Sequence, residues 1–184
     1  MKDHPYVELA YMTGILPIKK YGTHGALNMF EEISMIDPGL LSEFMGFTEQ
    51  EVYDLCLKYN MDYNEMKQWY DGYRMSNDIS VYNHRSVVYA LMDRKYENYW
   101  TSTETYEAQQ VYIDMNFDDL KDNIVQLLSG KSVDVNTSKF QNDMTTFKSK
   151  DDVLTLLIHL GYLGYNNSDH TCYIPNKEVS TSFH

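Results

Sequence analysis

The chain has 184 residues, 43% hydrophobic and 23% charged, which is typical of one ordinary globular domain or two small ones and excludes a disordered chain. Its formal net charge of −12 disfavours nonspecific binding to nucleic acid, because such binding needs clustered Lys and Arg to release counterions from phosphates. No run approaches the roughly eighteen apolar residues of a membrane span, and the N-terminus lacks the pattern of a signal peptide.

The N-terminal part of the sequence predicts a strand and two helices. Residues 6–18 are apolar and bounded by prolines, which predicts a buried strand that runs into a turn. Thr23 is a suitable cap for a helix over 23–34. Pro38 suits the first turn of a short helix that ends at Gly46.

Two capping motifs predict the next two helices. In TEQE, the side chains of Thr48 and Glu51 can each accept a hydrogen bond from the backbone of the other residue at the helix start. In DYNE, Asp62 and Glu65 repeat the spacing. Gly72 is expected to end the second helix, because glycine adopts the left-handed conformation found after helices.

The middle of the chain predicts one short extended piece, over 79–82, and three more helices. Asn83 can cap a helix that runs through Asp93. The other two helices are predicted over 102–116 and 118–128.

The composition changes after Gly130, and we place a domain boundary there. The string SVDVN alternates as a strand does, and Ser149 and Asp152 can cap an apolar helix that ends at Gly161. The strings YLGYN and TCYIP then predict a hairpin, since turn residues separate them. Strand, helix and hairpin in this order predict a winged-helix-like module. The final string NKEVSTSFH shows no closing element and is expected to be a truncation point.

The motifs of common catalytic sites are missing from the sequence. It contains no GxxxxGK[ST] phosphate-binding loop, no apolar strand that ends in paired acids for Mg²⁺, no HExxH and no GxSxG. Cys56 and Cys172 are too few for a disulfide framework or a zinc site, so we expect free thiols and a cytoplasmic location. We therefore predict no catalytic residue, no metal ligand and no activity for this chain alone.

Tyrosine is unusually frequent, with seventeen residues. Its ring can be buried while its hydroxyl stays hydrogen-bonded, so the composition indicates a core with polar edges. A surface that binds a partner protein is the alternative explanation.

Three strings carry a resemblance to a known family. They are YMTGILPIKKYG at 11–22, WYDGY at 69–73 with VYNHRSVV at 81–88, and LLIHLGYLGYN…YIPNKEV within 156–179. In this order and spacing the chain resembles the bacterial predicted AAA-ATPase-like family, whose members commonly carry a PD-(D/E)xK nuclease-like domain after the ATPase part. The resemblance runs over essentially the whole chain.

The resemblance implies a mainly α, α+β fold in three parts. Residues 1–22 would be a remnant of the ATPase core, a sensor-like strand and turn, with Thr13 sensing the nucleotide γ-phosphate in the intact protein. Residues 23–130 would form a helical lid-like bundle, and 131–184 the winged-helix-like module with its C-terminal β-hairpin. ATP and Mg²⁺ are implied for the intact family protein and no cofactor for this chain.

Two further residue expectations accompany the resemblance. WYDGY would pack the lid helices together, with Trp69 and Tyr73 on one helix face because they are four residues apart. Arg85 follows the cap at Asn83, and an arginine at a helix start is unfavourable for the helix dipole. It is therefore a candidate for contacting nucleotide in the intact protein, with a structural ion pair or plain solvent exposure as the alternatives. His84 stands where the family pattern has proline.

The expected function is that of a non-catalytic fragment that couples nucleotide state to a C-terminal nuclease-like domain or a partner. Its partners would be the rest of the same polypeptide, with a second copy of the chain pairing through the exposed edge of the strand at 6–13 as another option. The alternative is a stand-alone winged-helix module that binds DNA or protein. Its DNA version is disfavoured because the candidate recognition helix, KDDVLTLLIHLGY, begins with two acids.

Overall fold

The computed structural model describes residues 11–14, 16, 31–75, 79–100, 117, 119–140 and 147–182. In this part of the chain it shows an α+β fold with two small antiparallel sheets of three strands each. The helices are α1 (Glu49–Tyr59), α2 (Tyr63–Tyr70), α3 (His84–Asp93), α4 (Leu120–Leu128), α5 (Lys150–His159) and α6 (Lys177–Ser182). The strands are β1 (Phe47–Thr48), β2 (Tyr73–Arg74), β3 (Ser80–Tyr82), β4 (Val133–Asp134), β5 (Gly164–Asn166) and β6 (Thr171–Tyr173). Short 3₁₀ turns lie at Gly39–Phe44 and Thr137–Lys139.

The capping motifs start helices where the sequence predicts them. Thr48 and Glu51 form a complete capping box at α1. Ser149 and Asp152 form a second one at α5. The side chain of Asn83 accepts hydrogen bonds from two backbone amides in the first turn of α3. The helix starts after 48, 83 and 149 are therefore confirmed.

The first sheet and helices α1 to α3 enclose one hydrophobic core. The strand order is β1-β3-β2, with Phe47 opposite Tyr82 and Tyr73 opposite Val81. The buried residues of this core are Val52, Cys56, Met66, Tyr70, Tyr82, Val87, Ala90 and Leu91. Since each of the three helices contributes residues to this list, the helices depend on one another for burial.

The second sheet packs on α4 and α5. Its strand order is β4-β6-β5, so the first strand in sequence pairs with the last, and Val133 lies opposite Cys172. Helix α5 is buried from 153 to 158 without a break, so no face of this stretch is left to solvent. Leu120 and Leu127 of α4 join the same core, although they precede the boundary that we placed after Gly130. That boundary stays a prediction.

Several predicted elements differ from the structure. Of the strand predicted within 6–18, residues 11–14 and 16 are described; none of them lies in a strand, and Tyr11 is 81% exposed. Residues 31–34 are irregular, so the helix predicted over 23–34 does not reach its predicted end. The rest of both elements, and the helix predicted over 102–116, lie outside the described residues.

Two other differences concern the WYDGY string and the C-terminus. Tyr73 does not share a helix face with Trp69, because α2 ends at Tyr70 and the extended Asp71 leads the chain into strand β2. The final residues, which we expected to have no closing element, form helix α6, whose second residue, Glu178, is completely buried.

Candidate functional site: a buried polar junction

Two tyrosine side chains, one from each sheet, form hydrogen bonds that link the two sheets. The hydroxyl of Tyr73, in the first sheet, donates a buried hydrogen bond of 2.8 Å to the carbonyl of Gly161, just after α5. The hydroxyl of Tyr173, in the second sheet, donates to the carbonyl of Gly72 at 2.9 Å and accepts from the backbone amide of Arg74 at 3.3 Å. Each sheet is therefore tied by a phenol to the backbone beside the other.

The backbones also approach closely beside these hydrogen bonds. Gly72 has a φ of +112°, and a Cβ added to it would lie 2.1 Å from the carbonyl oxygen of Pro175. A Cβ on Gly164 would lie 2.6 Å from the ring of Tyr173. Glycine is required at position 72, because a side chain there would force the backbone at Pro175 away, whereas a side chain on Gly164 would displace the ring of Tyr173 from its place beside it in the second sheet.

The carboxyl group of Glu178 is the centre of the contact between α6 and the first core. Its Oε1 atom accepts three hydrogen bonds, from the hydroxyl of Ser86 at 2.8 Å, the amide of Tyr99 at 2.8 Å and the amide of Trp100 at 3.1 Å. Its Oε2 atom is buried, and no residue in the described part of the chain hydrogen-bonds to it. The two oxygens of one carboxyl group thus have very different surroundings.

These surroundings have opposing effects on the acidity of the group. Burial raises the pKa of Glu178 above its ordinary value, because a buried charge loses its hydration. The hydrogen bonds from Ser86 and from the amides of Tyr99 and Trp100 lower the pKa, and burial has the larger effect. Among the described residues, no Lys, Arg or His is paired with this carboxyl group.

A shell of hydrogen bonds surrounds this carboxyl group. The hydroxyl of Tyr70 donates to the carbonyl of Glu97 at 2.9 Å and accepts from the amide of the same residue at 3.1 Å. The side-chain amide of Asn98 donates to the carbonyl of Glu178 at 3.2 Å and to the hydroxyl of Ser182 at 2.9 Å. The stretch 97–100 therefore connects α2 and α3 to the C-terminal helix.

We call this set of contacts the junction. Its residues are Tyr70, Gly72, Tyr73, Ser86, 97–100, Gly161, Tyr173, Pro175 and Glu178. They bring together residues from the WYDGY, VYNHRSVV and C-terminal strings, which lie up to about a hundred positions apart. Five of its residues (Tyr70, Tyr73, Ser86, Gly161 and Glu178) are buried, and the hydrogen bonds above join its polar groups mainly to one another, so its chemistry suits mechanical connection better than catalysis.

The two residues that the resemblance singles out lie elsewhere. Thr13 is exposed in an irregular stretch. Arg85 is exposed in the first turn of α3, where its guanidinium group lies over the ring of Tyr89 at 5.3 Å from the centroid. No ion pair joins Arg85 to a carboxylate of the described residues. A role in nucleotide sensing stays a prediction for both residues.

An open depression of about 650 Å³ lies on the outer side of α2. It is lined by Asp62, Asn64, Glu65, Lys67 and Gln68. All five side chains are polar, whereas ligand sites are usually lined mainly by apolar and aromatic groups. Its lysine is already paired with the carboxylate of Glu49 at 2.6 Å. We therefore regard the junction as the stronger candidate.

No sequence pattern pointed directly to Glu178 or Ser86. An acid within KEVSTS looks like an ordinary surface residue, and a serine in the first turn of a helix is unremarkable. The one signal was the spacing of Asn176, Val179 and Ser182, which fits a capped helix with one inward face. The side chain of Asn176 does accept a hydrogen bond from the amide of Val179 at 3.0 Å.

Comparisons with known proteins assign nothing further. No protein-family model, no curated protein and no solved structure matches this chain. Within the described ranges, no group of three or more His, Cys, Asp and Glu is placed to hold a metal ion. No helix among the described residues is both long and apolar enough to cross a membrane.

Proposed function

We propose that this chain is the lid and winged-helix-like part of an AAA-ATPase-like protein. In that role it carries out no chemistry of its own. It couples the nucleotide state of an ATPase core to a C-terminal nuclease-like domain or another partner. The proposal combines the resemblance of the three sequence strings with the arrangement of the junction.

The observation that carries the coupling role is the pair of hydrogen bonds by which a tyrosine of each sheet binds the backbone beside the other sheet. A displacement of the first sheet moves the hydroxyl of Tyr73, and with it the carbonyl of Gly161 at the end of α5. A displacement of the second sheet moves the hydroxyl of Tyr173 against Gly72 in the same way. Close-packed contacts of this kind transmit strain, because the interior has few voids to absorb it.

The order of the C-terminal elements supports the winged-helix-like part of the proposal. Strand β4 precedes helix α5 and the hairpin β5–β6 follows it, with β4 paired to β6. Continuous burial of α5 from 153 to 158 leaves that stretch no face with which to enter a DNA groove. The geometry thus favours protein contact over DNA binding for this module.

The absence of nucleotide chemistry is tested by titrating the purified chain with Mg-ATP in a calorimeter and measuring phosphate release. We expect neither a binding signal nor turnover, because the sequence contains no phosphate-binding loop. Saturable binding at one site per chain, or measurable hydrolysis, would overturn the non-catalytic role.

The coupling role is tested with the two tryptophans, which report on different cores. Trp69 packs against the first core and Trp100 against the second. In the variants Trp100→Phe and Trp69→Phe, fluorescence therefore follows each core separately during urea unfolding. We expect the two midpoints to coincide, as for a single cooperative unit. Clearly separate midpoints would show that the junction does not join the cores, and would refute the coupling.

A further inference from the structure

One carboxyl group joins helix α6 both to α3 and to residues 99–100. Its residue Glu178 receives the hydroxyl of Ser86 from α3 and the amides of Tyr99 and Trp100 on a single oxygen atom, Oε1. The other oxygen, Oε2, is buried without a hydrogen-bond partner among the described residues. The residue as a whole has no exposed surface.

This geometry suits the neutral carboxyl group better than the carboxylate. In the neutral form the proton resides on Oε2, and Oε1 remains a carbonyl oxygen that can accept the bonds from α3 and from 99–100. In the ionised form, part of the negative charge lies on Oε2, where it has neither a donor nor a cation within the described residues. The three hydrogen bonds to Oε1 stabilise the ionised form in part, but burial of a charge whose other oxygen has no donor among the described residues costs more than burial of an unpaired hydroxyl, so ionisation disfavours the docked helix.

We propose that helix α6 is a proton-controlled latch, which the neutral carboxyl group of Glu178 keeps docked and which ionisation of that group loosens. This inference goes beyond the coupling role and does not depend on it, since it concerns only the attachment of α6 to α3 and 97–100.

The tyrosines that face Glu178 keep their protons in the acidic to neutral range. Burial raises the pKa of Tyr70 in α2 and of Tyr73 in β2 well above the ordinary value, and that of Tyr99 to about 12. Helix α3 faces it with a serine hydroxyl, which does not titrate. On α6 itself, the ammonium group of Lys177 lies over an indole ring of α2, at 4.4 Å from the centroid.

The pH range of the effect follows from proton linkage. When α6 opens, Glu178 meets water and returns to its ordinary pKa of 4.5, whereas the docked form holds its proton to higher pH. The opening equilibrium therefore rises by about tenfold per pH unit from pH 4.5 up to the docked pKa, and is constant above it. The latch is tightest in acid.

The experiment is amide hydrogen exchange of residues 179–182 at pH 5 and pH 7, corrected for the intrinsic exchange rate. The Glu178→Gln variant keeps a carbonyl oxygen for the three donors and cannot ionise. Glu97→Gln is the matched control, since it removes an exposed carboxylate from the stretch that contacts α6. We expect protection to fall at the higher pH in the wild type and in the control, and to be equal at both pH values in Glu178→Gln.

Two results would overturn the latch. One is equal protection of 179–182 at both pH values in the wild type, and the other is an unchanged pH dependence in Glu178→Gln. If the glutamine variant does not fold, as judged by circular dichroism, carbon NMR of the Glu178 carboxyl group in the wild type decides. A titration midpoint at or below 4.5 refutes the proposal. None of these outcomes bears on ATP binding or on the coincidence of the two unfolding midpoints, so the latch and the coupling role can fail separately.

Discussion

Replacing Gly72 by alanine is the most direct test of the close contact between the two parts of the molecule. The φ of +112° at this position strains any residue with a Cβ, at about 1–3 kcal/mol. The new Cβ would also lie 2.1 Å from the carbonyl oxygen of Pro175, so one backbone must move. That movement breaks the hydrogen bond from Tyr173, which contributes about 1 kcal/mol, and loosens the packing around it. We expect a total loss of about 3–5 kcal/mol in the free energy of unfolding.

Gly130→Ala is the control for the backbone strain alone. Its φ is +80°, and a Cβ added there meets nothing within 4 Å, so we expect a loss of only about 1–2 kcal/mol. Both variants are compared with the wild type by urea unfolding, followed by fluorescence. The reasoning is refuted if Gly72→Ala costs no more than the control, because the approach to Pro175 would then have no energetic consequence.

The remaining predictions concern the buried Tyr73 and the half-buried His159. Tyr73→Phe deletes the hydroxyl that bonds the carbonyl of Gly161 and should destabilise the fold by about 1–3 kcal/mol, measured by urea unfolding; a change below about 0.5 kcal/mol would contradict the buried bond. Burial lowers the pKa of His159 to about 4 from 6.5, so the stability it contributes is complete above pH 6.5 and is lost as the pH falls to about 4. Subtracting the pH profile of His159→Phe from that of the wild type should isolate a loss of about 2–3 kcal/mol, and separate it from the opposite trend of Glu178; parallel profiles would contradict it.

Local features of the fold could be predicted from the sequence because their causes are local. A serine or threonine followed three residues later by an acid satisfies the free amides of a helix start wherever it occurs, which is why the helices after Thr48 and Ser149 were found. The hairpin between β5 and β6 was found for the same reason, since its turn residues lie between two apolar strings.

The junction could not be predicted in this way, because its partners are far apart in sequence. Strand β2 has two residues and no alternation to detect, so the sequence favoured a helix face for Tyr73. Glu178 resembles a surface acid until α3 and 97–100 are folded over it, and Ser86 lies 92 positions away from it. The α+β class is confirmed, whereas the winged-helix-like assignment and the roles of Thr13 and Arg85 stay predictions.

The residues that carry the family resemblance have structural reasons to be what they are. Gly72 has no room for a side chain, Tyr73 reaches Gly161 beside the second core, and Ser86 reaches Glu178 in α6. Reactive groups of a catalytic site lie where a substrate can meet them. In the described part of these strings, Tyr73 and Ser86 are instead buried and bonded to other parts of the fold, whereas Thr13 and Arg85 are exposed. The hydrogen bonds of Tyr73 and Tyr173 connect the two small sheets, and the proposed coupling role rests on this connection.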